Sequence, residues 1–213
     1  MIYICWVEKL GDILSSWVYN LKNDERMKNM DKKITLRLAT ASDAEQILAV
    51  YAPSVTDTTV TFEYEVPTVQ EFAFRIVNIL QKYPYYVALV DGEIAGYSYA
   101  APFRGRAAYN WSAETTIYIK QSFRGYGIGS MLYSALEETL KTQGILTMIS
   151  CIAYPNPPSN AFHEKMGFHK VGHFSQSGYK LGQWVDIVWM EKHIGEHNEK
   201  PSAVIPFSRL GEE

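Results

Sequence analysis

The segment "AETTIYIKQSFRGYGIGSMLYSALEETL" (113–140) constrains the fold more than any other. An alternating, β-rich stretch (113–119) runs into Gly125, Gly127 and Gly129, and a helical pattern over 128–142 follows at once. That order puts a glycine loop at a helix N-terminus. Backbone N–H groups there lack intrahelical partners, and the helix dipole adds partial positive charge. Such an end favours an anion, and Arg124 adds a full charge. The strand needs a sheet and the helix needs a layer against it, so the chain reads as α/β.

Phosphate is the expected anion, but several ligands carry it. A nucleoside-triphosphate loop needs Gly-Lys-Ser/Thr after four variable residues, and this loop has no lysine. A dinucleotide fingerprint needs a third glycine where Ser130 stands, and an acid at the end of the next strand. That region reads "SCIAYPN", without one.

The rest of the chain supplies the sheet. "KITLRLA" (33–39) reads as a strand, and Thr40 or Ser42 caps a helix, with Glu45 completing a box with Ser42. Thr68 caps a second helix running to about Tyr83. "YYVALVDGEIAGYSYAAPF" is a hairpin turning at Asp91-Gly92. After the glycine unit come a strand (146–153), a short helix ending at Gly167 and two closing antiparallel strands. The order βααβββαβαββ implies one domain over 34–193, with a loose polar tail over 194–213. Residues 1–33 form an extension. Trp6, Leu10, Ile13, Leu14, Trp17, Val18 and Leu21 make a helical stripe, while Met27 and Met30 offer alternative starts just before the domain.

Composition narrows the partners. Hydrophobic residues make up 47% and charged residues 20%, enough for a core. A net charge of −3 argues against a broad nucleic-acid footprint. No apolar run approaches the roughly 20 residues that span a bilayer. Cys5 and Cys151 stand far apart, which fits a reducing cytoplasm, and Cys151 reads as core. His193 and His197 are four apart but lie beside the polar tail, so no metal site is expected. Tyr85, Tyr86, Tyr97, Tyr99, Trp111 and Trp189 read as core or sheet face.

Two spaced motifs then carry a resemblance. Arg124-x-x-Gly127-x-Gly129 follows a strand, and Asn156-x-x-Ser159-x-x-Phe162-His163-x-x-x-Gly167-Phe168 follows the next one. Together they resemble the signature of the Gcn5-related N-acetyltransferases, a mixed, mostly antiparallel sheet flanked by helices. His163 departs from the tyrosine that the general family often places there. "FHEKMGF", "WSAETTIYI", "GYKLGQWVDIVWM", "TVTFEYEVPT" and "APFRGRAAYNW" resemble the phosphinothricin acetyltransferase branch. The resemblance spans about residues 34–193 and leaves the extension outside.

The resemblance implies acetyl-CoA as co-substrate. Ile117, Tyr118, Ile119, Arg124, Gly125, Tyr126, Gly127, Ile128, Gly129 and Ser130 would hold its pantetheine and pyrophosphate, with Asn156 and Ser159. It also implies a small amino-acid-like acceptor and a homodimer. Acetyl transfer to an amine needs a base, because a free amine is mostly protonated near neutral pH. Glu114 opens an otherwise apolar strand, where desolvation raises a carboxyl pKa, and the resemblance places the branch's catalytic glutamate there. His163 is the second proton-transfer candidate, as acid toward the departing thiolate or base toward the amine. Arg104, Arg106 and Tyr109 suit the acceptor's charged head, and Phe62 its methylene chain. An ordinary amine or a peptide N-terminus as acceptor, or a non-catalytic acyl-CoA-binding module, stays open.

Overall fold

The computed structural model describes residues 33–211. The stripe proposed for residues 6–21 lies outside them.

Seven strands form one sheet in the order β1-β2-β3-β4-β5-β7-β6. They are β1 (Ile34–Leu38), β2 (Tyr85–Val90), β3 (Glu93–Pro102), β4 (Ser112–Ile119), β5 (Thr147–Tyr154), β6 (His169–Lys180) and β7 (Gln183–His193). Every neighbouring pair is antiparallel except β4 and β5. The helices are α1 (Ala44–Thr56), α2 (Val69–Leu80), α3 (Ile128–Gln143) and α4 (Pro157–Lys165). The mixed, mostly antiparallel architecture is the one the sequence implies.

The unbroken apolar run of β2 has a direct cause. Tyr85 and Val87 join the core beneath α1 and α2, while Tyr86, Ala88 and Val90 join the core beneath α3. A strand covered on both faces has no polar side to alternate with. The β2–β3 turn has Asp91 at φ 52° and Gly92 at φ 92°, the left-handed pair that a two-residue hairpin needs.

Helix caps follow the sequence in one case and shift in the other. Thr68 caps α2 as expected, its N–H reaching Glu71 Oε2 at 2.7 Å, but the helix ends at Leu80, short of Tyr83. At the first helix the box forms between Thr40 and Asp43, with Thr40 N–H donating to Asp43 Oδ2 at 2.8 Å, instead of between Ser42 and Glu45. Arg37 of β1 decides this. Its guanidinium grips both Asp43 oxygens at 2.6 and 2.7 Å, a tertiary contact that local spacing does not record.

The tail read as loose is docked at several points. Trp111 Nε1 donates to Ser202 O at 2.8 Å, and Gln143 Nε2 donates to Ile205 O at 2.9 Å. Phe207 is 3% exposed, and its N–H bonds to Lys82 O. Polar composition misleads here because main-chain atoms make most of these bonds.

Candidate active site

The site begins where two strands separate. β4 and β5 are in register only over Ser112–Glu114 opposite Thr147–Ile149. Both continue beyond that point, β4 held by β3 and β5 held by β7. The sheet therefore splits at Glu114 and opens a cleft of about 820 Å³. A strand edge released from its neighbour offers backbone donors and acceptors to an extended ligand.

The glycine loop forms one flank. Gly125 and Gly127 have φ 85° and 78°, left-handed values that other residues resist, and Gly127 caps α3. Gly129 serves close approach instead: a Cβ there would lie 3.0 Å from the Phe162 ring and 3.2 Å from Ile119 Cδ1. Removing that atom lets the N-terminus of α3 sit against β4 and α4. Ile117–Ile119, residues 124–130, Asn156 and Ser159 all line this one cleft. Asn156 also caps α4, its Oδ1 accepting from Ser159 N–H at 3.3 Å. The open helix end, the glycine approach and the split sheet fit a long ligand with a central pyrophosphate.

Glu114 stands at the split, half-buried. Burial pushes its carboxyl above the ordinary value, and the charge of Arg104 pulls it partly back. His163 is 3% exposed. Its Nδ1 lies 2.8 Å from Ser159 O and its Nε2 lies 3.0 Å from the Tyr133 hydroxyl. A carbonyl only accepts, so Nδ1 carries the proton and Nε2 accepts from Tyr133. Burial lowers the imidazole pKa and keeps this neutral form.

Tyr133 escaped the sequence reading. It occupies an apolar stripe of α3 and is 1% exposed. Its hydroxyl lies 3.3 Å from both Thr115 Oγ1 and Ser150 Oγ, which are 2.9 Å from each other. A buried network thus joins α4, α3 and the fork of β4 and β5. The usable signal was a tyrosine on a core stripe, whose hydroxyl must find a partner.

Cys151 corrects an expectation: it is not core but an exposed residue of the cleft wall. The strand it occupies borders the split, so one of its faces is uncovered. Partial burial, with the charge of Glu114, pushes its thiol up to about 11.

Of the residues expected to hold the acceptor, Arg104 reaches the cleft through its charge, which acts on Glu114 and Cys151. Arg104 lies 4.3 Å over the Phe103 ring and 5.2 Å over Trp189. Arg106 and Tyr109 are exposed, and the Phe62 ring covers Gly178. Among the described residues no group of three or more His, Cys, Asp or Glu is arranged to hold a metal ion.

Known proteins place this architecture. The model of the "Acetyltransferase (GNAT) domain" family matches residues 36–189. A phosphinothricin N-acetyltransferase of Streptomyces viridochromogenes is 32% identical over 84% of this chain and 97% of its own length. An L-methionine sulfoximine/L-methionine sulfone acetyltransferase of Pseudomonas aeruginosa is 30% identical over 78% of this chain and 98% of its own. Among solved structures, a phosphinothricin acetyltransferase of Sinorhizobium meliloti in complex with AcCoA has a TM-score of 0.77 at 37% identity, covering 82% of this chain and 97% of that one. The split sheet, the glycine loop and the family match lead to one conclusion: this chain belongs to the GNAT acetyltransferase family.

Proposed function

We propose that the protein is an acetyl-CoA-dependent N-acetyltransferase whose acceptor is the amine of a small amino-acid-like molecule of the phosphinothricin, methionine sulfoximine or methionine sulfone type. The observation that carries this is the parting of β4 and β5 at Glu114, with the glycine loop on the flank of the same cleft. Acetyl-CoA supplies the thioester whose acetyl group moves to the amine. The N-terminus of α3, with Arg124, would hold the pyrophosphate, and the open edges of β4 and β5 would receive the pantetheine, with Asn156 and Ser159 at its side.

Glu114 takes the acceptor's proton in this reading. A carboxylate raised by burial is a stronger base than one in water. Of the two roles open to His163, the tautomer favours proton acceptance, and Tyr133 is the hydroxyl bonded to that nitrogen. The thiol of Cys151, held at about 11, is a poor nucleophile, which supports direct transfer in a ternary complex over an acyl-enzyme. A homodimer belongs to the same proposal, supported by apolar side chains left in solvent, such as Phe74 at 67% and Trp184 at 60% exposure.

The test is release of coenzyme thiol from acetyl-CoA, with and without phosphinothricin or methionine sulfone. Acceptor-dependent release is expected. Tight acetyl-CoA binding with no turnover of any amine would identify a binding module instead.

A further inference from the structure

Side chains take over where the backbone pairing of β4 and β5 stops. Glu114 and Ile149 are the last pair in register, so Thr115 and Ser150 would be the next. Each strand instead continues with its other neighbour, Thr115 opposite Ala100 of β3 and Ser150 opposite Met190 of β7. The two hydroxyls meet across the gap, Oγ1 to Oγ at 2.9 Å. Thr115 Oγ1 also lies 3.3 Å from Ile149 O, the carbonyl of the last paired residue. A carbonyl only accepts, so Thr115 donates there and Ser150 donates to Thr115.

The layer around them is apolar. Alternation puts Thr115 on one face with Ala113 and Ile117, and Ser150 with Met148 and Ile152, all part of the core beneath α3. Thr115 is 4% exposed and Ser150 1%. Valine and alanine would fill the same space with no polar atom to satisfy. Apolar contact has no direction, however, whereas a hydrogen bond fixes distance and angle together. Tyr133 adds a third hydroxyl, 3.3 Å from each of the other two and held at 3.0 Å by His163 Nε2. The three form a directed joint at the apex of the fork.

The consequence falls on Glu114. It closes the ladder, adjoins Thr115, and projects to the opposite face of β4. Its place relative to a ligand between the strands follows from where pairing ends. A ladder one residue longer would move the apex by about 3.3 Å.

We propose that Thr115 and Ser150, braced by Tyr133, are positioning residues for acetyl transfer: they end the β4–β5 ladder at Glu114 and so set the distance from its carboxylate to a thioester held in the fork. This rests on the N-acetyltransferase reading above.

The test is steady-state kinetics with acetyl-CoA and phosphinothricin, or another amine that the wild type acetylates, alongside acetyl-CoA calorimetry and thermal unfolding. Thr115→Val keeps the shape and removes the hydroxyl. It should lower kcat about 10- to 100-fold, the range for a displacement of up to about 1 Å. Acceptor KM and acetyl-CoA Kd should change far less, because the glycine loop is untouched. Ser150→Ala should act in the same direction, and the double variant should cost no more than the larger single loss, because the pair works as one unit. Thr115→Ser, which restores the hydroxyl, should recover most of kcat. A lowered Tm with kcat unchanged in both single variants would make the pair structural only and overturn the proposal. Thr115→Ser performing no better than Thr115→Val would overturn it too. Wild-type protein that binds acetyl-CoA and acetylates no amine overturns the acetyltransferase reading, and this role with it.

Discussion

The Tyr133 hydroxyl lies 3.0 Å from Nε2 of His163, and it is the bond that ties α3 to α4 behind the split in the sheet. Because Nδ1 of the same imidazole donates to Ser159 O, the ring is fully engaged and neutral. Tyr133→Phe leaves Nε2 without its donor. It should lower unfolding free energy by about 1–3 kcal/mol, the cost of an unsatisfied buried group, as read by denaturant titration.

The same imidazole gives a pH signature. Its folded pKa is below its ordinary 6.5, so the unfolded chain binds the proton more readily. The stabilisation is complete above 6.5 and is lost as pH falls toward and through the lowered folded value. Wild-type Tm should decline over that acidic window. His163→Gln should be less stable overall but show a smaller part of that decline, and identical pH slopes would rule the linkage out.

Glu114→Gln should cut kcat by about 10²–10⁴, the range for loss of a positioned base, with acetyl-CoA affinity little changed. The raised carboxyl pKa also sets the acid limb of wild-type activity. Rate should fall as pH drops through a value above the ordinary 4.5, because only the ionised form takes a proton. Unchanged kcat in the variant would remove Glu114 from the base role.

Gly127→Val forces a β-branched residue to φ 78° at the start of α3. The strain should be about 1–3 kcal/mol, and the displaced loop should lose acetyl-CoA binding by calorimetry. Normal coenzyme affinity would detach the loop from the pyrophosphate.

Cys151→Ser should keep kcat close to wild type, and iodoacetamide should label the wild-type thiol slowly at neutral pH, because its pKa is about 11. Accumulation of an acetylated cysteine on the wild-type protein, by mass spectrometry, would contradict direct transfer.

Phe207→Ala should destabilise the fold by about 3–5 kcal/mol, the usual loss for a buried phenylalanine. A loose tail would show no change, so thermal unfolding separates the two.

Much of this protein was legible without coordinates. The periodicities mark the strands and helices, Thr68 marks its cap, and Asp91-Gly92 marks its hairpin, because each is a local matter of backbone geometry. The two motifs brought residues 117–119, 124–130 and Asn156 to a single coenzyme reading, and those residues do line one cleft. Local pattern does not record partners far along the chain. Arg37 claims Asp43, Tyr133 finds His163 thirty residues on, and Lys180 reaches back to Thr61. The sequence by itself determined the elements and the family. Tertiary structure alone decided where β4 leaves β5 and which face of Cys151 is open. The physical reason is that hydrophobic spacing specifies which face of an element is buried, while the end of a strand pairing and the partner of a buried polar atom depend on how the elements pack together.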